Sequence, residues 1–377
     1  LIAMVHHGGA TDRLFRDESA KLVSALTRMF GTDHLQLAED SVQEAMIRAM
    51  RTWPYFGVPD KPVAWLMQTA RNLALDGVRR DKSFRDKQPG IVALAEMTAN
   101  RPSFDESVRF DDEIQDDRLR LMFACCHPQV PPDARVALAL KTLCGFGVTE
   151  VAKAFLVSEA AVAKRLTRAR QRIRELGIPF EIPSGDEIPG RLEAVEQTLY
   201  LLFNEGYKAS GGDRLVREEL CTEAIRLAEM LLEHPAGDRP RTHALLALML
   251  LNAARLPARL DAEGNILRLK DQNRALWDWS MIARGLRHLG EAAAGEEISE
   301  YHLQAGIAAC HCTAADFEST DWPRILRLYD RLAEIDGSPV VALNRAVVVA
   351  QVAGPRAGIE AVAGIEDVDR LDSWSKY

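Results

Sequence analysis

The 377-residue sequence predicts an all-α fold: two small helical modules followed by a larger helical-repeat domain. Three observations predict it. Apolar residues recur at three- and four-residue spacing nearly throughout, and alternating β-branched runs are absent. Proline- and glycine-bearing stretches interrupt that period at a few places, YFGVPDKP (55–62), CHPQVPPD (126–133) and PFEIPSGDEIPG (179–190). Charge is divided as well. Residues 1–183 hold 26 Lys/Arg against 24 Asp/Glu, a balance of +2, whereas residues 184–377 hold 21 against 31, a balance of −10.

Length points to two or three domains, and 47% hydrophobic residues are ample for packed cores. The sequence has no apolar run of 18 residues, which argues against a membrane span. The first residues, LIAMVHHGGATDR, lack the pattern of a signal peptide. Six cysteines without a CxxC pair fit a reducing, cytoplasmic setting. Cys310, His311 and Cys312 with His302 could be drawn as a metal site, but adjacent ligands on a helix cannot converge on one centre. The expectation is therefore no metal, no cofactor and no catalytic residue.

The divisions fall at residues 10–81, an acidic flexible linker over 82–116, residues 117–177, and an extension over 186–377. In the first module AEDSVQEAMIRAMRTW (38–53) carries an apolar stripe of Val42, Ala45, Met46, Ala49, Met50 and Trp53. Asp40, Gln43, Glu44 and Arg48 share another face by the three- and four-residue rule. That face is either solvated or partner-binding. The next helix begins at Pro62, with a core stripe of Leu66, Ala70, Leu73 and Gly77. Trp65, Thr69, Asn72, Asp76 and Arg79 form one continuous line that ends in the basic pair Arg79-Arg80. Cations for phosphate, amides and hydroxyls for base edges and an aromatic for an unstacked base suit nucleic acid. An ordinary amphipathic helix whose Trp completes the core is the competing reading.

In the second module a short helix (149–155), the turn LVS and a long helix capped by Ser158 form a helix-turn-helix. Val162, Leu166, Ala169, Ile173 and Leu176 mark its buried stripe. Ala161, Lys164, Arg165, Arg168 and Arg172 point the other way. Residues 159–174 contain six Lys/Arg and one Glu, so the helix can approach a groove and reach phosphates or guanines.

Asp40-x-x-Gln43-Glu44, WLMQTARNLALDGVRR (65–80) and VTEVAKAFLVSEAAVAKRLTRARQRIR (148–174) resemble, in order, regions 2.2, 2.3–2.4 and 4.2 of extracytoplasmic-function sigma factors. Thr69 stands where that family often has Ile. The resemblance covers about residues 10–177. It implies core RNA polymerase and promoter DNA as partners. Asp40, Gln43, Glu44 and Arg48 would then grip polymerase. Trp65, Thr69, Asn72, Asp76, Arg79 and Arg80 would open and read the −10 element. Ala161, Lys164, Arg165, Arg168 and Arg172 would read the −35 element.

The extension resembles that of a sigma-factor subgroup bearing TPR-like C-terminal repeats, through LYLLFNEGY (199–207), DQNRALWDW (271–279) and DWPRILRLYDRL (321–332). IRLAEMLLE (225–233) echoes LRLYDRLAE (326–334) at a distance of 101 residues, close to three periods of about 34. Asn204, Glu205, Gly206 and Tyr207 read either as a functional cluster or as a helix end with Gly206 as C-cap, and Asp271 and Arg274 as an i, i+3 pair. Asp321 and Trp322 open the third motif. A repeat domain of this kind offers a concave surface for a protein partner or for an intramolecular contact with the two basic modules, without catalysis. The competing assignment is a helix-turn-helix regulator with a helical effector or protein-binding domain. It leaves the Trp65–Arg80 line unused.

Overall fold

The computed structural model describes residues 10–85, 110–155, 157–207, 216–261, 263–295 and 297–365. Among the described residues, fifteen α-helices account for the architecture, and there is no strand beyond one bridge between Leu260 and Ile266. Most of the 82–116 linker lies outside the described residues. The chain forms two compact units, one reaching to Lys153 and resuming over Val157–Thr198, the other running from Leu199 on. The division falls inside a helix rather than in the Pro-rich 179–190 segment.

The first unit begins with α1 (Ala10–Phe30), α2 (Leu35–Phe56) and α3 (Pro62–Arg85). In α2 the buried seam is Leu35, Ala38, Val42, Ala45 and Ala49, with Trp53 at its end. This seam advances by alternating three and four residues, so Met46 sits at its rim and Met50 beyond it. Met50, expected in the stripe, is 58% exposed. In α3 the expected stripe is rotated. Ala74 and Val78 join Leu66 and Ala70 inside, while Leu73 and Gly77 are half-buried. At Gly77 a Cβ would fall 2.5 Å from Leu37 Cδ1, so a side chain there would make the Leu37 side chain move aside.

The unit continues through α4 (Phe110–Cys125), α5 (Pro132–Thr142), α6 (Val148–Phe155) and α7 (Glu159–Leu176), and includes the first half of α8 (Ile188–Tyr207). Leu121–Cys126 and Ala134–Leu140 are buried on every side, as befits helices at the centre of a core. Arg135 is in that run and is itself buried. Its guanidinium donates to the Ala194 carbonyl (3.2 Å) and to Gln197 Oε1 (2.9 Å), both on α8. Arg191 on α8 donates in return to the Phe123 carbonyl at 3.1 Å, near the end of α4. Leu192, Ala194 and Val195 are buried beside them.

The second unit comprises the end of α8, α9 (Glu218–Leu232), α10 (Pro240–Ala253), α11 (Trp279–Ala292), α12 (Glu300–Thr313), α13 (Trp322–Ile335), α14 (Pro339–Ala353) and α15 (Pro355–Ala363). Consecutive helices pack on one another, and α10, buried from Ala244 to Leu251, is central. The two echoing segments lie on α9 and α13, each the first of a consecutive pair. Leu303, Ile307, Ile325, Leu332, Val341 and Val348 form a continuous core across α12, α13 and α14.

Candidate nucleic-acid interface

The long helix of the second module starts as its sequence requires. Ser158 Oγ accepts from the Ala161 amide at 3.2 Å, and Gly177 ends α7 in the left-handed conformation. Val162, Leu166, Ala169 and Ile173 are buried, while Leu176 is half-buried because the helix is ending there. Lys164, Arg168 and Arg172 are exposed, and Ala161 and Arg165 are half-buried. Arg165 pairs with Asp133 at 3.3 Å and Arg172 with Glu175 at 3.8 Å. Lys164 and Arg168 have no acidic partner among the described residues. A cleft beside this face is lined by Gln129, Pro131, Arg168, Gln171, Arg172 and Glu175. The glutamines were not anticipated from the sequence, because Gln129 belongs to a turn that only packing brings to the helix. His127, in the same turn, is pushed down to about 4 by burial and by Arg191, Arg135 and Arg172 nearby.

On α3, Asn72, Asp76, Arg79 and Arg80 are exposed, whereas Trp65 and Thr69 are half-buried. Trp65 meets Trp53 edge to face with ring centroids 5.5 Å apart, so it serves the core as well as the surface. Asn72 Oδ1 accepts from Gln68 at 3.1 Å. On α2, Asp40, Gln43 and Arg48 are exposed, Glu44 is half-buried, and Arg48 pairs with Glu44 at 2.9 Å.

One residue of α2 was missed. Glu39, beside Asp40, is turned inward and 6% exposed. Its carboxylate accepts from Thr142 Oγ1 at 2.5 Å and from Arg170 of α7. Thr32 donates to the Ile178 carbonyl at 2.6 Å, and Arg174 to the Asp33 carbonyl at 3.2 Å. The two modules are therefore joined by polar contacts centred on a buried carboxylate. The signal was present in the sequence, since a charged residue at 39 falls on the inward seam of 35, 38 and 42.

The extension motifs occupy different roles from those expected. Gly206 lies within α8 rather than at a C-cap, and a Cβ there would fall 2.7 Å from the Cys221 amide nitrogen, so glycine admits α9. Asn204 is exposed and Glu205 half-buried. Asp271 pairs with Arg268 at 2.7 Å, not with Arg274. Arg274 instead donates to the carbonyls of His311 (2.8 Å) and Ala314 (2.6 Å) at the end of α12, where a cation offsets the helix dipole. Asp321 caps α13 by accepting from the Arg324 amide at 3.0 Å. Trp322 packs edge-on against Phe317 and His311. Tyr207 accepts from Arg255, and the guanidinium of Arg259 lies 3.7 Å above its ring.

Cys310, His311 and Cys312 form no ligand set. All six cysteines are free and buried, and no group able to hold a metal exists among the described residues. No helix of these residues is long and apolar enough to cross a membrane.

Residues 14–84 match Sigma-70 region 2, residues 120–173 match Sigma-70 region 4, and residues 191–293 match a family of unknown function. An uncharacterized protein of Rhizobium meliloti is 42% identical over 357 residues, 94% of this chain and 82% of that protein. The ECF RNA polymerase sigma factor SigE of Mycolicibacterium smegmatis is 29% identical over 164 residues, 44% of this chain and 60% of that protein. SigM of Mycobacterium tuberculosis is 26% identical over 169 residues, 44% of this chain and 76% of that protein. No solved structure matches the chain.

Proposed function

We propose that this chain is an extracytoplasmic-function sigma factor, a non-catalytic initiation factor, and that its surfaces divide the work of promoter recognition, a reading supported by the sigma-70 region 2 and region 4 matches and the sigma-factor relatives. Asp40, Gln43, Glu44 and Arg48 bind core RNA polymerase. The α3 line from Trp65 to Arg80 opens and reads the −10 element, and α7 reads the −35 element. The observation that carries this reading is the α7 face. Its Lys164, Arg168 and Arg172 are exposed, while the opposite stripe is fixed in the core. Such a helix can enter a major groove without disturbing its own packing. Reconstitution tests it: core polymerase plus this chain gives specific transcripts from its own promoter, and a folded chain that gives none sinks the assignment.

The extension, in this reading, activates by bracing the sigma modules, and its helices present a TPR-like surface to an unidentified protein partner. Support comes from Arg135 and Arg191, which tie the start of α8 to the second module. Two truncations separate the roles. A chain cut after Pro183 lacks these ties and loses stability in the second module. A chain cut after Thr198 keeps them and isolates the contribution of the remaining extension. Full transcription by the longer truncation would rule out activation by the rest of the extension.

A further inference from the structure

The connection between α10 and α11, residues 254–278, is far longer than the about 12–15 residues beyond which an unstructured loop usually serves a function. It is not slack. The Asp278 amide donates to the Ala254 carbonyl at 2.9 Å, the Leu267 amide to the Arg259 carbonyl at 2.8 Å, and Gln272 to the Leu267 carbonyl at 3.1 Å. This connection carries Arg255 and Arg259 to Tyr207 at the end of α8 and Arg274 to the end of α12, where Arg255 acts on it; all three arginines lie within the segment matched to the family of unknown function.

Among the described residues, none of the three guanidiniums has an acidic side chain at ion-pair distance. Asp316 and Glu318 act on Arg274 only from farther away. Arg255 uses Tyr207 and Asn252, Arg274 uses two carbonyls and the face of Trp277, and Arg259 uses the face and the hydroxyl of Tyr207. Buried nitrogens of all three, and Nδ1 of His311, lack a hydrogen-bond partner. Half-buried arginines without a carboxylate at ion-pair distance are costly, and here they collect in the acidic half of the chain. An oxyanion would relieve that cost.

We propose that Tyr207, Arg255, Arg259 and Arg274 form a binding site for a small molecule bearing a phosphate or carboxylate group. The guanidinium forks match the oxygen pairs of either group. Because Arg255 donates to the Tyr207 oxygen, the phenolic hydrogen remains available to the ligand. Burial and the neighbouring arginines hold His311 neutral, with its pKa down to about 4, so it adds a hydrogen-bonding nitrogen without a fourth charge.

The full-length chain is titrated with inorganic phosphate and, separately, succinate, each against chloride at matched ionic strength, with thermal unfolding and calorimetry as readouts. A saturable rise in Tm with either anion is expected, and the anion that gives it identifies the group recognised. Arg259→Gln, which removes the cation above the Tyr207 ring, is expected to weaken binding about tenfold or more. Arg274→Lys keeps the charge near the end of α12 and serves as the second variant, expected to bind more weakly because the fork is removed. Shifts no larger than those in chloride, or equal affinity in both folded variants, would overturn the site.

Discussion

Glu39 and Asp40 are neighbours in sequence and opposites in environment. Asp40 is exposed, whereas Glu39 is enclosed with Thr142 and Arg170. Arg170→Ala therefore strands a buried carboxylate, and urea unfolding is expected to show a loss of about 3–5 kcal/mol. Replacing both partners, Glu39→Leu with Arg170→Met, removes the stranded charge and is expected to recover most of that loss. The reverse case lies on the outer face. Charge reversal at Asp40 and Glu44 breaks only the exposed Glu44–Arg48 pair, so stability should change by no more than about 1 kcal/mol. Under the polymerase-binding reading the same variant weakens core affinity severalfold. Unaltered affinity in a pull-down or fluorescence titration would remove α2 from the interface.

At the scale of the element, α7 separates two tasks by face. Val162, Leu166, Ala169 and Ile173 hold it in the core, Arg170 holds the first module, and Lys164, Arg168 and Arg172 remain at the surface. Arg168→Ala and Arg172→Ala are expected to leave folding intact and to lower the slope of log affinity against log salt by about 0.9 for each phosphate no longer neutralised. The measurement is promoter binding by the polymerase complex over a salt series. Neither slope nor affinity would change if α7 did not meet DNA. On α3 the outcome differs by residue. Trp65 packs on Trp53, so under the −10 reading its replacement is expected to lower stability as well as opening, while Asn72→Ala is expected to lower opening alone.

Across the whole molecule, half-buried histidines set an acid limit. His311 is held at about 4 by burial and by Arg255 and Arg274, against about 6.5 in the unfolded chain. A depressed histidine pKa means that the unfolded state takes up the proton first. Its penalty is absent above about pH 6.5 and grows as pH falls toward 4. His311 therefore makes the fold less stable as pH falls across that window. His288, lowered to about 4 by burial and His243, acts in the same direction to a smaller extent because it is more open to solvent. Unfolding midpoints measured from pH 8 to pH 4.5 should fall with acid, and His311→Gln should flatten the dependence. A midpoint independent of pH would contradict the burial of His311.

The sequence by itself determined the helices, the capped helix-turn-helix and the face of α7 that points outward. Each follows from spacing within about 20 residues, through helical period, Ser158 at the N-cap and prolines at helix starts. It also signalled two exceptions that were not read, Glu39 on the seam of α2 and Arg135 within an apolar run. Local period was less informative where two helices choose their line of contact. Met50, Leu73 and Gly77 lie off the fully buried lines, because which ridge of a helix is covered depends on its packed neighbours and not on period alone. Tertiary structure alone decided the partners of Glu39, of Arg135 and of the arginines around Tyr207. These contacts join residues tens to more than a hundred positions apart, and side-chain pairing at that range depends on how helices pack, which no local pattern encodes.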